Sequence, residues 1–284
     1  MLGYIAALLP LCVLVWIPLS NVIFGTPQKQ KPSDHQNVLF NSSFIATDEP
    51  LSCPPHNYNT FILSQEPLII YIENFLTAEE SAHLISIRTR SEDKWAASTV
   101  TSGTETSIQK DIRFSEVALV DRDEVVRCIE HRSRAFQGWR PDLHIERLRT
   151  QRYGLGGHYK HHYDWSGGSR EADRVSTFMV YVDADCEGGG TEFPRMKMPN
   201  VLKGRWCDFL ECEKNGPDGD DDGGGGKGDD FGITFKPIKG NAVFWENLGA
   251  DGRGYEQTFH AGLPVLRGQK VGLNIWSWGP ARRT

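Results

Sequence analysis

The sequence predicts an α+β domain with a mainly β core, in which an antiparallel β sandwich or barrel is preceded by supporting helices. Three observations predict this fold class. Two helical patterns occur before residue 148, short β-rich runs separated by Gly, Pro and Asp clusters follow it, and 39% of the 284 residues are apolar. That apolar content is sufficient for a sizeable hydrophobic core.

The chain begins with an apolar segment that is typical of targeting to the secretory pathway. Residues 1–25 contain no charged side chain, and the apolar run within residues 2–24 is as long as a short membrane span. Pro10 and Pro18 disfavour the alternative, a buried core helix. We therefore expect a signal peptide or an N-terminal membrane anchor, with the rest of the chain in the lumen of the endoplasmic reticulum or of the wider secretory pathway.

The remaining sequence divides into a linker and one folded domain. Residues 26–60 are rich in Pro, Ser, Asn and Gln and lack periodicity, which predicts a flexible linker before a domain at residues 61–284. Asn41 lies in an Asn-Ser-Ser glycosylation sequon, which fits the secretory pathway. Within the domain, residues 214–230 form an acidic, Gly-rich insertion. We expect this insertion to be a disordered, solvated loop and not a calcium site, because it lacks the ligand spacing of an EF-hand.

Two helices are predicted at the start of the domain. The segment PLIIYIENFL has the composition of a strand, and TAEESAHLISIRTR after it begins with Thr77 and Glu80 at the spacing of a capping box. Asp123 gives an acidic start to the second helix, DEVVRCIEHRSRAFQGW, in which apolar residues recur at helical spacing. These are the helices that we expect to support the β core.

Short β-rich runs make up most of the chain after residue 148. They are enriched in β-branched and aromatic residues and are separated by turn-forming residues, which predicts short antiparallel strands. The runs are LRTQRY, VSTFMVYVDA, GITFKPI, NAVFWEN, YEQTFHAG and KVGLNIWSW.

The charge of the chain argues against nucleic acid as a partner. The formal net charge is −6, the isoelectric point is about 5.9, and the basic residues do not form a stripe. A protein that binds a phosphate backbone needs such a stripe. We therefore expect no nucleic-acid partner.

The cysteine spacing indicates one disulfide and leaves others open. Cys207 and Cys212 are close enough in CDFLEC for a small-loop disulfide, which is typical of an oxidising compartment. Five cysteines lie outside the N-terminal apolar segment, so at least one is free or paired with another chain. The sequence does not decide how Cys53, Cys128 and Cys186 pair.

The stretch YGLGGHYKHHYDW contains a histidine and an aspartate at the spacing of two metal ligands. Residues two apart in a strand face the same side, so His162 and Asp164 can hold one ion. His260 is the only histidine after Asp164 in the sequence, and two imidazoles with one carboxylate form the facial triad of non-haem Fe(II) oxygenases. Lys270, ten residues after His260, can receive the far end of a dicarboxylate that chelates the ion.

These residues resemble the prolyl 4-hydroxylases of the 2-oxoglutarate and Fe(II) dependent oxygenase superfamily. The family pattern Y-x-x-G-x-x-Y-x-x-H-x-D falls without a gap on Tyr153, Gly156, Tyr159, His162 and Asp164. The resemblance extends from about residue 70 to the end of the chain and includes RVSTFMVYVDADCEGGGTEFP and HAGLPVLRGQKVGLNIWSW. The family has a double-stranded β-helix fold, or jelly roll, which agrees with the predicted strands.

The resemblance implies roles for individual residues. The two histidines and the aspartate are expected to bind iron, Lys270 to pair with the distal carboxylate of 2-oxoglutarate, and Tyr153 and Thr191 to hydrogen-bond that carboxylate. Three residues fall where the family contacts or positions the substrate: Tyr159, Arg174 and Trp276. The implied cofactors and cosubstrates are Fe(II), 2-oxoglutarate and O₂, with L-ascorbate to rescue oxidised iron.

The resemblance also implies the reaction, which is hydroxylation of peptidyl proline with release of succinate and CO₂. Lysine in place of arginine at position 270 is similar to the collagen-type and plant-type prolyl hydroxylases, and CDFLEC with the acidic insertion resembles fungal members. We expect the substrate to be a Pro-rich secreted or cell-surface polypeptide. The alternatives are an oxygenase that acts on another peptidyl residue or on a small molecule, and a non-catalytic jelly-roll binding module.

Overall fold

Two antiparallel β-sheets and a layer of helices make up the part of the chain that the structure describes. In this computed structural model, the described residues are 51–89, 95–102, 105–167, 171–197, 203–212 and 231–282. All of them belong to one compact unit of the chain, Ser42–Thr284. The N-terminal apolar segment, the sequon at Asn41 and the insertion at residues 214–230 lie outside the described residues.

The two main helices form where the capping signals predicted them. Helix α1 spans Ala78–Thr89, and at its start Thr77 and Glu80 exchange side-chain to backbone hydrogen bonds of 2.9 and 3.0 Å, as a capping box requires. Helix α2 spans Glu124–Phe136, and the side chain of Asp123 accepts a hydrogen bond from a backbone N–H of its first turn. None of the helices in the described ranges combines the length and the apolar content that a membrane span requires.

The described residues form sixteen strands and two short helical turns. The turns are α3, Lys203–Trp206, and a 3-10 turn, Glu256–Thr258. In chain order the strands are β1 Asn59–Gln65, β2 Leu68–Glu73, β3 Ala96–Ala97, β4 Val100–Ser102, β5 Glu105–Ser107, β6 Arg113–Phe114, β7 Glu116–Leu119, β8 His144–Ile145, β9 Arg149–Tyr153, β10 His158–His162, β11 Ala172–Gly188, β12 Thr191–Lys197, β13 Phe231–Phe235, β14 Ala242–Glu246, β15 His260–Gly262 and β16 Val265–Pro280.

Most of these strands belong to one large and one small sheet. The large sheet has nine strands in the order β1-β2-β14-β11-β16-β9-β7-β3, with β8 paired to β16. The small sheet has the order β13-β12-β15-β10-β6, and β4 and β5 form a separate ribbon. The predicted α+β class with a mainly β core is confirmed.

The large sheet is buried on both faces because its central strands are apolar without alternation. Ile70 of β2 packs with Ile129 of α2 on one face. The next residue, Tyr71, points to the other face, where its ring stacks on Phe235 of β13 with 5.9 Å between the ring centroids. The large sheet therefore lies between the helices and the small sheet.

The predicted strand YEQTFHAG is only partly a strand. Its first half forms the 3-10 turn, and only His260–Gly262 pairs as β15. The cause is local: the backbone N–H and the hydroxyl of Thr258 both donate to the carbonyl of Tyr255, and such bonds compete with strand pairing. His260 therefore begins a strand, and the prediction of one strand over the whole of YEQTFHAG was wrong.

Residues just before position 61 already pack on the domain. Cys53 forms a disulfide with Cys128 of α2. The ring of Tyr58 lies against Phe136, with 5.9 Å between the ring centroids, and β1 begins at Asn59. The last part of the segment predicted to be a linker therefore contacts the folded core.

Breaking the Cys53–Cys128 disulfide is expected to destabilise the domain more than breaking the predicted Cys207–Cys212 disulfide, which is also present. The first joins residues 75 apart and the second joins residues 5 apart. The chain-entropy model gives a stabilisation of about 4 kcal/mol for the longer loop and about 2 kcal/mol for the shorter. Cys53→Ala should therefore lower the melting temperature more than Cys207→Ala, as measured by circular dichroism without reductant. Equal shifts would contradict this account.

Candidate metal centre

The two predicted histidine ligands lie directly opposite each other in the small sheet. His162 is the last residue of β10, His260 is the first residue of β15, and their Cα atoms are partners in this antiparallel pair. The carboxylate of Asp164 lies 3.7 Å from Nε2 of His162 and 3.8 Å from Nε2 of His260. The three ligand atoms lie within 4.8 Å of one another, so the predicted ligands converge on one point.

Backbone carbonyls fix the tautomer of both histidines. Nδ1 of His162 lies 2.9 Å from the carbonyl of Lys160, and Nδ1 of His260 lies 2.8 Å from the carbonyl of Thr258. Because a carbonyl oxygen can only accept a hydrogen bond, each Nδ1 carries the proton and each Nε2 carries a lone pair. Two lone pairs and a carboxylate then face one another, which is an arrangement that a cation stabilises.

The surroundings keep the site in the protonation state that a metal needs. Burial tends to raise the pKa of Asp164, but the adjacent imidazoles of His162 and His260 hold it well below its usual range. Burial and the nearby His162 lower the pKa of His260 to about 4. At neutral pH the site therefore contains a carboxylate beside a neutral His260.

A chain of hydrogen bonds from the large sheet orients Asp164. The hydroxyl of Thr177 on β11 donates to Asp164 Oδ2 at 2.9 Å, and Nδ2 of Asn247 donates to that hydroxyl at 2.9 Å. The indole N–H of Trp245 donates to Oδ1 of Asn247 at 2.8 Å. Each group has its partner, so the carboxylate is held in one orientation.

Asp164 does not lie on the same strand as His162, although the sequence predicted that it does. His162 and Asp164 were predicted to lie on one face of a single strand, but β10 ends at His162. Asp164 lies in the bend after the strand, and Thr177 from a distant strand sets its direction. The ligands do converge, although strand alternation is not the reason.

Removing the hydroxyl of Thr177 is expected to weaken metal binding. Thr177→Val keeps the side-chain shape but removes the donor to Asp164, and losing such a support typically costs about 10-fold to 100-fold in metal affinity. Thr177→Ser keeps the hydroxyl and is the matched control. Anaerobic titration with Fe(II), or with Co(II) as a spectroscopic substitute, measures the affinity. If the Val and Ser variants bind equally well, the hydroxyl has no supporting role.

Lys270 is a buried cation that has no carboxylate partner among the described residues. Its side chain is 1% exposed, and its Nζ donates to the carbonyl of Gly189 and lies 4.9 Å from the ring centroid of Tyr153. Burial lowers the pKa of Lys270 to about 8. A buried ammonium without a counter-ion is costly, so this position favours an anionic ligand.

The Gly-Gly turn after β11 can approach Lys270 because it has no side chain there. Gly189 has a φ of 72°, a conformation that favours glycine. A Cβ at this position would lie 3.1 Å from Cγ2 of Val265 and 3.5 Å from Cδ of Lys270. Glycine therefore allows the turn to present its carbonyl to the lysine.

Lys270 and the three predicted metal ligands line one cavity, here called the inner cavity. Tyr153 and Thr191 line it as well. Tyr153 is the cross-strand partner of Lys270, and Oγ1 of Thr191 accepts a hydrogen bond of 2.8 Å from Tyr181. The structure thus brings together every residue that the sequence assigned to the metal and to the dicarboxylate.

The three predicted substrate residues line a groove beside the metal ligands, here called the outer groove. Its volume is about 560 Å³, within the range of ligand-binding pockets. Tyr159 stacks on His162 with 3.7 Å between the ring centroids. Arg174 lies 3.8 Å from the ring centroid of Trp276 and makes hydrogen bonds of 2.7 and 3.1 Å to Glu146. The ion pair holds Arg174 against the tryptophan.

Gln151, which was not predicted from the sequence, lines both the inner cavity and the outer groove. It is 2% exposed, its Oε1 accepts a hydrogen bond of 3.1 Å from the Tyr153 hydroxyl, and its Nε2 has no hydrogen-bond partner within the described ranges. The available signal was its spacing: it lies two residues before Tyr153 on β9, and residues two apart face the same side of a strand.

A family model described as the 2OG-Fe(II) oxygenase superfamily matches residues 148–278. The matched range contains the three converging ligands and Lys270. The chain is 30% identical to probable prolyl 4-hydroxylase 8 of Arabidopsis thaliana over 222 residues, which cover 76% of this chain and 70% of the relative. It is 28% identical to prolyl 4-hydroxylase subunit alpha-3 of Mus musculus over 227 residues, which cover 76% of this chain and 34% of the relative.

A solved structure has a similar fold. The viral collagen prolyl hydroxylase of Paramecium Bursaria Chlorella virus-1, in complex with 2OG, matches with a TM-score of 0.50 and 25% identity over 74% of this chain and 96% of that chain. The likeness spans almost the whole of the viral protein. It confirms the jelly-roll fold that the sequence predicts.

Proposed function

The chain belongs to the 2OG-Fe(II) oxygenase superfamily, and on that premise we propose that it hydroxylates peptidyl proline in the manner of prolyl 4-hydroxylases, using Fe(II), 2-oxoglutarate and O₂. Succinate and CO₂ are the other products. The observation that carries the proposal is the inner cavity. It is lined by a convergent His-Asp-His cluster and by a buried lysine that has no carboxylate partner among the described residues.

The convergent ligands fit an Fe(II) ion. When bound, the iron and 2-oxoglutarate supply the oxygen activation that the hydroxylation requires. His162, Asp164 and His260 would bind one side of the ion and leave the remaining positions open. Thr177 keeps the carboxylate directed at the ion, so the geometry exists before the ion arrives.

The buried lysine fits the distal carboxylate of 2-oxoglutarate. Lys270 supplies the charge, and Tyr153 and Thr191 line the same space as candidate hydrogen-bonding partners. Since Thr191 accepts its hydrogen bond from Tyr181, its own hydroxyl proton remains available for the carboxylate. These three residues orient the cosubstrate and exclude water from its charged end.

The outer groove suits a proline-rich chain. Tyr159, Arg174 and Trp276 give it flat, apolar and cationic surfaces beside the metal ligands. Polyproline II segments are already extended and lose little conformational entropy when they bind such surfaces. Pro-rich segments of secreted or cell-surface polypeptides are therefore the proposed substrates.

The proposed compartment is the endoplasmic reticulum or the wider secretory pathway. Two disulfides, Cys53–Cys128 and Cys207–Cys212, support it because structural disulfides persist in oxidising compartments. Four further features remain predictions from the sequence. They are a signal peptide or membrane anchor within residues 2–24, glycosylation at Asn41, the use of L-ascorbate and a fungal origin of the chain.

The function is tested by measuring succinate release from 2-oxoglutarate with a panel of peptides. Pro-rich peptides should stimulate release and gain about 16 mass units on the proline ring, the mass of one oxygen atom. Matched peptides with lysine or asparagine in place of the proline should do neither.

Three other outcomes distinguish the alternatives. Hydroxylation of lysine or asparagine peptides alone would keep the oxygenase and remove the prolyl assignment. Stimulation by a small metabolite and by no peptide would indicate a small-molecule oxygenase. Peptide binding without any turnover in the presence of iron and 2-oxoglutarate would indicate a non-catalytic binding module.

A further inference from the structure

Two arginines on the wall of the outer groove have no acidic partner in the described part of the chain. Arg149 on β9 is exposed, and its guanidinium makes no ion pair and no hydrogen bond with the described residues. Arg113 on β6 donates to the hydroxyl of Ser115 at 3.2 Å and lies 4.6 Å from the ring centroid of Tyr159, and it pairs with no carboxylate among the described residues. Both charges are therefore available to a bound molecule.

The acidic residues near the groove do not neutralise these arginines. Asp164 is the only carboxylate on the groove wall among the described residues, and it is committed to the metal site. Glu146 is already paired with Arg174. The outer groove is thus locally cationic, although the whole chain carries a formal net charge of −6.

We propose that the outer groove selects proline segments that carry an aspartate or glutamate close to the target proline, and that Arg149 binds this acidic side chain. The inference deepens the proposed function and rests on it. A guanidinium presents two parallel N–H groups that match a carboxylate, and Arg149 has both groups unoccupied by the described residues. Arg113 adds attraction from the same wall.

The position of Arg149 limits where the acidic residue lies in the substrate. Arg149 is two residues from Gln151, which borders the inner cavity, so their Cα atoms are roughly 7 Å apart along β9. A polyproline II chain advances about 3.1 Å per residue. Allowing for the length of the arginine side chain, we expect the acidic residue within about four positions of the target proline.

The test compares peptide pairs that differ only in aspartate or asparagine, placed in turn at each of these positions on both sides of the target proline. The wild-type enzyme should show a kcat/KM about threefold to tenfold higher for aspartate at the preferred position. The ratio should fall as the salt concentration rises, because the interaction is electrostatic.

Variants assign the preference to one residue. Arg149→Gln should reduce the aspartate-to-asparagine ratio to about one. Arg267→Gln is the matched control, since Arg267 is exposed, pairs with Glu187 at 2.6 Å and does not line the groove; this variant should keep the wild-type ratio. Equal kcat/KM for the paired peptides in the wild type, or an unchanged ratio in Arg149→Gln, overturns the inference.

A binding measurement separates this inference from the proposed function. Fluorescence anisotropy of labelled peptides reports the affinity without turnover. If aspartate peptides bind more tightly through Arg149 but are not hydroxylated, the proposed function fails and the groove preference stands. If proline is hydroxylated with no difference between the paired peptides in rate or affinity, the function stands and the groove preference fails.

Discussion

Alanine in place of His260 is expected to abolish 2-oxoglutarate turnover while the fold survives. His260 supplies one of the three converging ligand atoms, and a facial triad that loses a ligand loses the geometry that holds the metal and leaves its other positions open. The loss of a mere hydrogen bond to a ligand costs about 10-fold to 100-fold, so we expect succinate release to fall by more than about 100-fold. His162→Ala should behave in the same way.

The adjacent His161 provides a matched control. It lies in the same run of sequence, but its Nε2 is 2.6 Å from the carboxylate of Glu192 and it is not one of the converging ligands. His161→Ala should keep its turnover. Circular dichroism and melting temperatures of all three variants show whether the fold is intact. Substantial turnover in a folded His162→Ala or His260→Ala variant would remove the metal assignment.

Lys270→Ala is expected to raise the 2-oxoglutarate requirement by a large factor. Truncating one partner of a buried charge pair costs about 2 to 5 kcal/mol, which corresponds to roughly 30-fold to 4,000-fold in KM. Arg267 is the other cation near this end of β16, but it is exposed and already paired with Glu187. Arg267→Ala should leave the KM for 2-oxoglutarate unchanged. A changed KM in that variant and an unchanged KM in Lys270→Ala would move the anchor to Arg267.

The affinity for 2-oxoglutarate should also depend on pH. Burial lowers the pKa of Lys270 from its ordinary value of 10.5 to about 8, so the free protein sheds this charge as the pH rises above 8. The dicarboxylate binds the charged form, and its affinity should therefore fall as the pH rises from 8 to 9.5. Between pH 8 and 10.5 Lys270 holds more protons in the unfolded chain than in the folded chain. The contribution of Lys270 to the free energy of unfolding therefore rises with pH in this range. A 2-oxoglutarate affinity that falls as the pH is lowered from 9.5 to 8 would contradict this assignment.

Local signals in the sequence were enough to locate the main elements. The capping box of Thr77 and Glu80 needs only four consecutive residues, and it begins α1 as predicted. The apolar run of β2 and the turn residues between strands likewise act over short distances. Lys270 was recognised because a fixed spacing from His260 places it on the next strand, β16.

The supporting residues of the site could not be predicted in this way. Asn247 after β14 reaches Thr177 on β11 because these strands are neighbours in the large sheet, and Thr177 reaches Asp164 because the two sheets face each other. Neither arrangement is visible in a local pattern. Arg149 was part of a predicted strand, but the tertiary neighbours that the fold gives it decide that no described acidic residue pairs with it. Tertiary neighbours, and not intrinsic propensity, decide these features.

The direct pairing of His162 with His260 across β10 and β15 has a consequence for how the protein assembles. Side chains alternate along a strand, so sliding β15 by one residue would turn His260 away from its partner. A single ion can bridge both imidazoles only when two strands separated by roughly 100 residues have found their native alignment. A bound iron ion therefore stabilises the native alignment of β10 and β15. We therefore expect Fe(II) to raise the melting temperature of the protein, although the fold forms without it.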